Sequence, residues 1–367
     1  MDSALHLTVR AIKIIQGMEI DTDNINITST DPAYIGRARK YCKGTWQKPL
    51  GEGGCPMEWA TIKYRPSMAG NIIYLLCFFA LFGGQLWYGI RNKTWGYMGV
   101  VATGIFGEII GYIGRIMLNQ NPFIMNNFLV NLICLTISPA LLTAGIYLCL
   151  SRVIVAKGSE NSRLKPKLYT YIFVGFDLLA LVLQAIGGGM AATGRDAAAA
   201  KQGTNIMIGG LISQVVSMVF FFIIWGDFVL RHRRARLSGS LSRTQPPLYE
   251  SLRNTRTFSL FQWSLFVATL LIFVRCVYRV AELWEGFSGH LANDEATFMI
   301  FEGPLIILAV TAMTFFHPGR VFGTLWVPAG QGIRSLKSMD NSSENIALNS
   351  QEQEWKNRRT DTSYQHV

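Results

Sequence analysis

Seven apolar runs dominate the chain and restrict what it can fold into. A bilayer core of about 30 Å is crossed by roughly 20 apolar residues in a helix, and every run reaches that length. Because helices satisfy their own backbone hydrogen bonds, the pattern predicts an all-α integral membrane bundle of seven transmembrane helices. The runs span residues 69–90, 95–117, 124–150, 168–190, 205–230, 258–280 and 297–316.

The composition divides the chain into three regions. Half of the 367 residues are hydrophobic and only 16% are charged, so the bilayer rather than a soluble core supplies the apolar environment. Residues 69–316 form the predicted membrane domain. Residues 1–68 are a polar, partly disordered segment, and residues 317–367 form a polar tail without apolar periodicity, which predicts disorder.

Lysine and arginine follow a pattern that predicts the orientation of the chain. The first, third and fifth connections between runs hold 14 of these residues, whereas the alternate connections hold two. Basic connections remain in the cytosol, which predicts an outside N-terminus and a cytosolic C-terminus. The fifth connection, residues 231–257, holds seven arginines and is predicted to be disordered. The net charge of +11 therefore reflects membrane orientation, and we expect no nucleic-acid partner.

Two features of residues 1–68 suit an extracellular or lumenal location. Cys42 and Cys55 lie 13 positions apart, and an oxidising compartment permits a disulfide between them. Two free thiols are the alternative. Asn26 begins an Asn-Ile-Thr sequence, which is an acceptor for N-glycosylation on that side of a membrane.

Seven of the charged residues within or just beside the apolar runs stand out as candidates for the interior. Each would cost about 2.5–3.5 kcal/mol at the centre of a membrane helix, and the unpaired set would cost roughly 20 kcal/mol. We therefore expect these groups to point inward, where they pair or line a polar path. They are Glu108, Arg115, Asp177, Arg275, Arg279, Glu282 and Glu302.

Proline and glycine interrupt several runs. Pro139 predicts a kink in the third helix. Three glycines at 187–189 favour either a close helix approach or an unwound end of the fourth helix. Gly303 and Pro304 directly follow Glu302 and predict a break near the middle of the membrane.

Helical spacing distributes the polar residues over the bundle. Glu108 and Arg115 share one face of the second helix about 10 Å apart, so each is expected to meet a partner on another helix. Asp177 and Gln184 share a face of the fourth helix. The economical arrangement is a network in which Glu108, Asp177 and Glu302 face Arg115, Arg275 and Arg279.

Two interpretations of this polar set remain open. It is either a structural salt-bridge network that fixes helix packing, or a polar track for a lipid head group or a coupled proton. The candidate track comprises Glu108, Arg115, Asp177, Gln184, Gln214, Arg275, Arg279, Glu282 and Glu302.

Several reaction classes lack their residues. No GxxxxGK[ST] sequence is present, which argues against ATP-driven pumping by this chain. No lysine lies in the seventh run to hold retinal, and the five histidines lack metal-ligand spacing. No nucleophile and base are recognisable for acyl transfer. We therefore expect no enzyme activity, no catalytic residues, no metal site and no cofactor.

A resemblance becomes specific at the polar residues. The segment from Glu108 to Arg115, Glu-Ile-Ile-Gly-Tyr-Ile-Gly-Arg, resembles the second-helix signature of the fungal RTA-like proteins, the lipid-translocating exporter family. The similarity covers about residues 64–320. Its further elements are Tyr64-Arg-Pro-Ser67, Pro139, Asp177, Gln184 to Gly189, Gly210-Leu211, Gln214, Arg275-Cys-Val-Tyr-Arg279, Glu282, Glu295, Glu302 and His317-Pro-Gly319.

The resemblance implies an exporter of amphiphilic lipids. Relatives are linked to release of sphingoid long-chain bases, resistance to toxic sterol-like compounds and porphyrin traffic, so the expected partners are membrane lipids and an amphiphilic small molecule. The family also favours the plasma membrane. The alternative is a seven-helix receptor or stress sensor that signals through residues 231–257. The pattern leaves the oligomeric state open.

Overall fold

The computed structural model confirms a helical membrane protein. It describes residues 13–15, 18–20, 42, 47, 55–60, 62–158, 162, 165–193, 197–238, 247–286 and 289–331. Within these residues, seven helical segments are long and apolar enough to cross a membrane. The chain is therefore an integral multi-pass membrane protein.

Six continuous helices and one divided helix make up the seven spans. The continuous helices are α1 (Met68–Arg91), α2 (Trp95–Gln120), α3 (Met125–Lys157), α4 (Pro166–Thr193), α5 (Ala197–Leu237) and α6 (Arg256–Trp284). The seventh span consists of α7 (Glu295–Phe301) and α8 (Gly303–Phe315), and it is followed by α9 (Pro318–Phe322) and α10 (Trp326–Gln331). A short helix, Glu250–Arg253, precedes α6. Two three-residue strands, β1 (Lys13–Ile15) and β2 (Met18–Ile20), pair antiparallel before the spans.

Side-chain caps fix where several helices begin. Ser67 accepts a hydrogen bond from the Gly70 N–H at the start of α1, and Asp294 accepts one from the Ala296 N–H at the start of α7. Each cap satisfies one of the N–H groups that the first turn of a helix leaves without a partner. The starts of α1 and α7 are therefore specified by the local sequence.

The spans close into a ring in chain order. Each of α1 to α5 contacts the next helix, α6 contacts α8, and α8 returns to α1. The central helix is α3, which also contacts α6 and is the most buried of the set. Large apolar side chains such as Leu76 and Phe220 instead lie exposed on outward faces. The bundle thus presents apolar residues outward and polar residues inward, as a bilayer requires.

Glycines allow two helix pairs to pack closely. A Cβ on Gly111 of α2 would lie 2.5 Å from a Leu135 methyl group of α3. A Cβ on Gly187 of α4 would lie 2.3 Å from the Met207 backbone nitrogen of α5. In lipid, the hydrophobic effect does not drive helices together, so their association depends on the close packing that small residues permit. Of the two alternatives for residues 187–189, the structure has the close approach, since α4 remains helical to Thr193.

Two predicted boundaries are wrong. The basic connection at 231–257 was predicted to be disordered, but α5 continues to Leu237 and the short helix Glu250–Arg253 follows. Arginine is a good helix former, so the basic run extends the membrane helix beyond its apolar part. Residues 239–246 lie outside the described part of the chain.

The tail predicted to begin at residue 317 is helical as far as Gln331. Phe322 and Trp326 are buried and both belong to the main hydrophobic core of the bundle. The Arg152 guanidinium lies 3.3 Å above the centre of the Trp326 ring. Residues 332–367 lie outside the described residues.

The N-terminal segment is tied to the end of the bundle where α2 passes into α3. Cys42 and Cys55 form a disulfide with their Cα atoms 5.8 Å apart. Both cysteines pack with Trp59 and with Phe123 of the α2–α3 connection. Asn26, the predicted glycosylation acceptor, lies outside the described residues.

Candidate functional site

All nine predicted track residues lie inside the bundle. Each is less than one tenth exposed, so none of the polar groups faces lipid. The structure divides them into a charged cluster and a second polar cluster, which holds one acid and two amides. The charged cluster, on α2, α6 and the break between α7 and α8, holds Glu108, Arg115, Arg275, Arg279, Glu282 and Glu302.

Arg275 pairs with Glu302 where the seventh span breaks. Its Nη2 lies 2.5 Å from the Glu302 Oε1, and both side chains are buried. The same nitrogen donates to the backbone carbonyl of Leu135 in α3. Leu135 precedes Pro139 by four residues, and proline has no N–H to donate to that carbonyl. Arg275 therefore satisfies the carbonyl that Pro139 leaves without its helical donor.

A second ion pair lies one turn further along α6. Arg279 Nη1 lies 2.5 Å from Glu282 Oε2, and both groups are buried. The spacing of three residues brings the two side chains to the same face of the helix. Two of the three charged residues of α6 that belong to the cluster therefore pair with each other.

Arg115 meets aromatic groups from outside its own helix. Its Nη2 donates to the Tyr64 hydroxyl at 2.7 Å, and its Cζ lies 3.5 Å above the centre of the Phe298 ring. Burial raises the pKa of Tyr64, while the adjacent Arg115 guanidinium opposes this shift. The phenol is therefore a neutral acceptor at physiological pH. Glu282 also lies within electrostatic range of Arg115.

Glu108 differs from the other two carboxylates of the cluster. It is completely buried, and neither carboxylate oxygen has a hydrogen-bond partner among the described residues. Arg275, Arg279 and Glu302 lie within electrostatic range of it. A buried carboxylate without a hydrogen-bond partner is expected to take up a proton or a cation. The neighbouring Tyr112 hydroxyl is likewise buried without a partner in this part of the chain.

The cluster is balanced in formal charge. Three carboxylates face three guanidinium groups, and two of each form the ion pairs above. The remaining acid, Glu108, and the remaining base, Arg115, lie seven residues apart on α2, about 10 Å along the helix axis. They cannot neutralise each other directly. Glu108 is accordingly the acid of the cluster that lies outside the two ion pairs.

A small cavity lies beside part of the charged cluster. Its walls come from the segment before α1, from α2, α3 and α6, and from α7. The ion pair of Arg279 and Glu282 and the Arg115 side chain line this cavity. The lining residues are Ile62, Tyr64, Arg115, Phe128, Asn131, Leu132, Arg279, Glu282, Leu283, Ala292 and Phe298.

The second polar cluster, Asp177, Gln184 and Gln214, lies between α3, α4 and α5. Asp177 Oδ2 accepts hydrogen bonds from the Thr143 hydroxyl at 3.0 Å and from the Tyr147 hydroxyl at 3.1 Å. Gln184 Nε2 donates to Gln214 Oε1 at 3.1 Å. The predicted network placed Asp177 opposite an arginine, but hydroxyl groups from α3 bind its Oδ2 instead. Its Oδ1 is buried without a hydrogen-bond partner among the described residues.

Sequence reasoning missed several polar contacts. Gln85 donates to Thr314 at 3.0 Å between α1 and α8, and neither residue was singled out. His317 and Tyr64 were named only for the family resemblance, but not predicted were the hydrogen bond from the Gly319 N–H to the buried His317 at 3.1 Å and the contacts of the Tyr64 hydroxyl and the Leu135 carbonyl. Only Pro139 offered a signal for one of them, because a proline within a helix exposes the carbonyl four residues earlier. Among the described residues, no group of three potential metal ligands occurs.

Comparison with known proteins identifies the family. Residues 101–324 match the model of the RTA1 like protein family. The chain belongs to this family. The match extends from within α2 to just beyond α9 and includes the complete charged cluster, whereas Tyr64 lies before it.

Curated relatives come from Saccharomyces cerevisiae. One, named sphingoid long-chain base transporter RSB1, is 33% identical over 279 residues, covering 70% of this chain and 73% of the relative. A second, named protoporphyrin uptake protein 1, is 28% identical and covers 61% of this chain and 68% of its own. A third, protein RTM1, is 29% identical over 60% and 68%. No solved structure matches the chain.

Proposed function

We propose that this RTA1-like protein moves a lipid with a cationic head group across the membrane, and that it acts as a transporter rather than an enzyme. The observation that carries the proposal is Glu108, a fully buried carboxylate without a hydrogen-bond partner in the described residues, beside two completed ion pairs. The relative named as a sphingoid long-chain base transporter supports the substrate class, since such a base carries an amine.

The head group needs a polar route, whereas the tail can remain in the bilayer. The small cavity beside Arg279 and Glu282 supplies one end of such a route. Glu108 lies further inside, within range of Arg275 and Glu302. An ammonium group that reaches Glu108 gains a direct counter-charge from the one acid of the cluster outside the two ion pairs, which offsets part of the cost of burying its charge. No wide aqueous channel is required.

The orientation is part of the same proposal. The basic ends of α3 and α5 favour a cytosolic location for these termini. We propose that the disulfide-bonded segment faces outward in the plasma membrane. The cavity beside Tyr64 then opens outward. In cells, an enzyme that removes N-glycans should shift the mass of the native chain and leave Asn26→Gln unshifted. If a tag attached at residue 367 could be modified from outside intact cells, the proposed orientation would be wrong.

The decisive experiment measures leaflet exchange of a fluorescent long-chain base in liposomes that contain the purified full-length chain. The native protein should accelerate exchange, and the lipid recovered should be chemically unchanged. Glu108→Gln should reduce the rate to that of protein-free liposomes, because the amide cannot offset the ammonium charge. A matched control is Glu58→Gln, which makes the same change at an exposed carboxylate.

Each outcome has a clear meaning. Native-like exchange by a folded Glu108→Gln variant would remove Glu108 from the mechanism. No exchange by the native protein, with folding verified by its unfolding transition, would reject transport and favour the sensor alternative. A chemically altered lipid would show an enzyme. Faster exchange of a zwitterionic lipid than of the base would contradict recognition of a cation.

A further inference from the structure

A groove large enough for a lipid chain lies on the outer surface between α5 and α6, away from the charged cluster. It is an apolar groove at the end of the bundle where α5 ends and α6 begins. On α5 it extends from Phe222 to Leu230, roughly 12 Å of helix length. The groove is lined by Lys157, Phe222, Trp225, Gly226, Val229, Leu230, Ser259, Gln262, Trp263 and Phe266.

Gly226 makes the middle of the groove open. A Cβ at this position would meet nothing within 4 Å, so the absent side chain leaves free space on the lipid-facing surface. Two aromatic walls flank it: Trp225 is buried, while Trp263 is largely exposed. Tryptophan is enriched at the level of the lipid head groups, which suits a groove at the end of two membrane helices.

Basic groups gather at the mouth of the groove. Lys157, the last residue of α3, lines it directly, and Arg236 lies within electrostatic range of Lys157. His232 lies within electrostatic range of Lys157, Arg236 and Arg253. Arg253 is held in place by a hydrogen bond of 3.0 Å from its Nη1 to the Ala156 carbonyl.

Two acidic residues near this end already lie beside arginines. Asp227 pairs with Arg231 at 2.9 Å, and Glu250 lies within range of Arg253. The mouth therefore carries an excess of positive charge above an apolar slot. Basic pockets between membrane helices bind the anionic head groups of lipids.

We propose that the groove between α5 and α6 binds an anionic glycerophospholipid, with its phosphate at Lys157 and Arg236 and one acyl chain beside Gly226. Its preference is opposite in sign to that of Glu108, which suits a cation. The two sites are therefore distinct. The bound phospholipid tethers the end of α5 to α3 and α6 and stabilises the bundle.

The test uses the full-length chain purified in detergent and depleted of lipid. Phosphatidylserine and phosphatidylcholine are added separately, and the unfolding temperature and the mass of the intact protein–lipid complex are measured. The native chain should retain phosphatidylserine and gain more stability from it than from phosphatidylcholine. Lys157→Gln should weaken the apparent affinity for phosphatidylserine about fivefold. Gly226→Leu should abolish the preference by filling the slot.

Two matched controls separate binding from general damage. Arg234→Gln removes an exposed positive charge from the same end of α5, and Gly209→Leu adds the same side chain at another open glycine of that helix. Both should respond to phosphatidylserine as the native chain does. Since both glycines are exposed with free space beyond them, Gly226→Leu should fold as well as Gly209→Leu.

Several results would overturn the proposal. Equal stabilisation by phosphatidylcholine would show that charge is not recognised. An unchanged response of Gly226→Leu would place the lipid elsewhere. Equal stabilisation by glycerophosphoserine, which lacks acyl chains, would show a phosphate site without a lipid. A dimer in the native mass spectrum that Gly226→Leu dissociates would assign the groove to a second copy of the chain.

Discussion

Arg275 takes the place of the backbone donor that Pro139 lacks, because its guanidinium binds the Leu135 carbonyl four residues before the proline. The same Nη2 holds Glu302 at the break of the seventh span. A kink-forming residue in α3, an arginine in α6 and a helix break beyond α7 are thus joined through one nitrogen. The proline determines where the arginine is anchored as much as it shapes its own helix.

Pro139→Ala should reduce lipid exchange several-fold while leaving the unfolding temperature equal or higher. Alanine restores an N–H that competes with Arg275 for the Leu135 carbonyl, and it favours the helix more than proline does. The measurements are leaflet exchange and thermal unfolding. In an Arg275→Gln background, Pro139→Ala should cause no further loss of exchange. A full additional loss in that background would show that the two residues act independently.

Glu302→Gln should lower the free energy of unfolding by about 3–5 kcal/mol, since it leaves the buried Arg275 without its counter-charge. Denaturation in detergent gives this value. Asp227→Asn, which breaks the partly exposed pair with Arg231, should cost less than about 1 kcal/mol. Comparable losses in the two variants would mean that the buried pair contributes no more than a surface pair.

Tyr64→Phe should lower stability by about 1.5–3 kcal/mol, the range for a hydrogen bond to a charged group. Burial raises the pKa of Tyr64, so the folded chain holds this proton more tightly than the unfolded chain does. The resulting stability is complete below the unfolded pKa of about 10 and is lost as the pH rises further. The difference between the native chain and Tyr64→Phe should therefore be constant from pH 6 to 9 and shrink above 10.

The exposed Tyr171 provides the control for that experiment. Tyr171→Phe should leave both the stability and its pH dependence unchanged. A Tyr64→Phe variant that matched Tyr171→Phe at every pH would contradict the contact with Arg115.

Gly187→Ala should destabilise the chain by about 1–3 kcal/mol, because its Cβ would lie 2.3 Å from the Met207 nitrogen and force α4 and α5 apart. Gly189→Ala, two residues later, meets nothing within 4 Å and should be neutral or stabilising by up to about 1 kcal/mol. Thermal unfolding of both variants in one detergent is sufficient. Equal losses would indicate a defect in the helix itself rather than in the packing.

The sequence predicted the membrane spans because apolar length and basic connections depend only on local composition. The helix break at Glu302 was predicted for the same reason, since Gly303 and Pro304 act on their own backbone. The continuation of α5 to Leu237 was missed because its last turns are as basic as a loop. Hydropathy measures what enters the membrane, whereas helix propensity decides where the helix ends.

The individual pairs could not be predicted from spacing. Spacing places Glu108 and Arg115 on one face of α2, but the rotation of α2 against α6 decides which arginine each acid meets. Arg275 selects Glu302, whereas Asp177 receives hydroxyl groups from α3. The Tyr64 contact depends on how a segment outside the membrane folds back onto Arg115. Such choices arise from tertiary packing, and the periodicity of a single helix does not contain them.

The break between α7 and α8 also has an electrostatic consequence. A helix that restarts at Gly303 places its N-terminal end deep within the bundle, and that end carries roughly half a positive elementary charge. Glu302 occupies the N-cap position of α8. Had the seventh span been one uninterrupted helix, its dipole ends would have lain at the two membrane surfaces. The interruption instead brings two opposed dipole ends to Glu302, the negative end of α7 and the positive start of α8, and Arg275 binds the carboxylate at this junction inside the bundle.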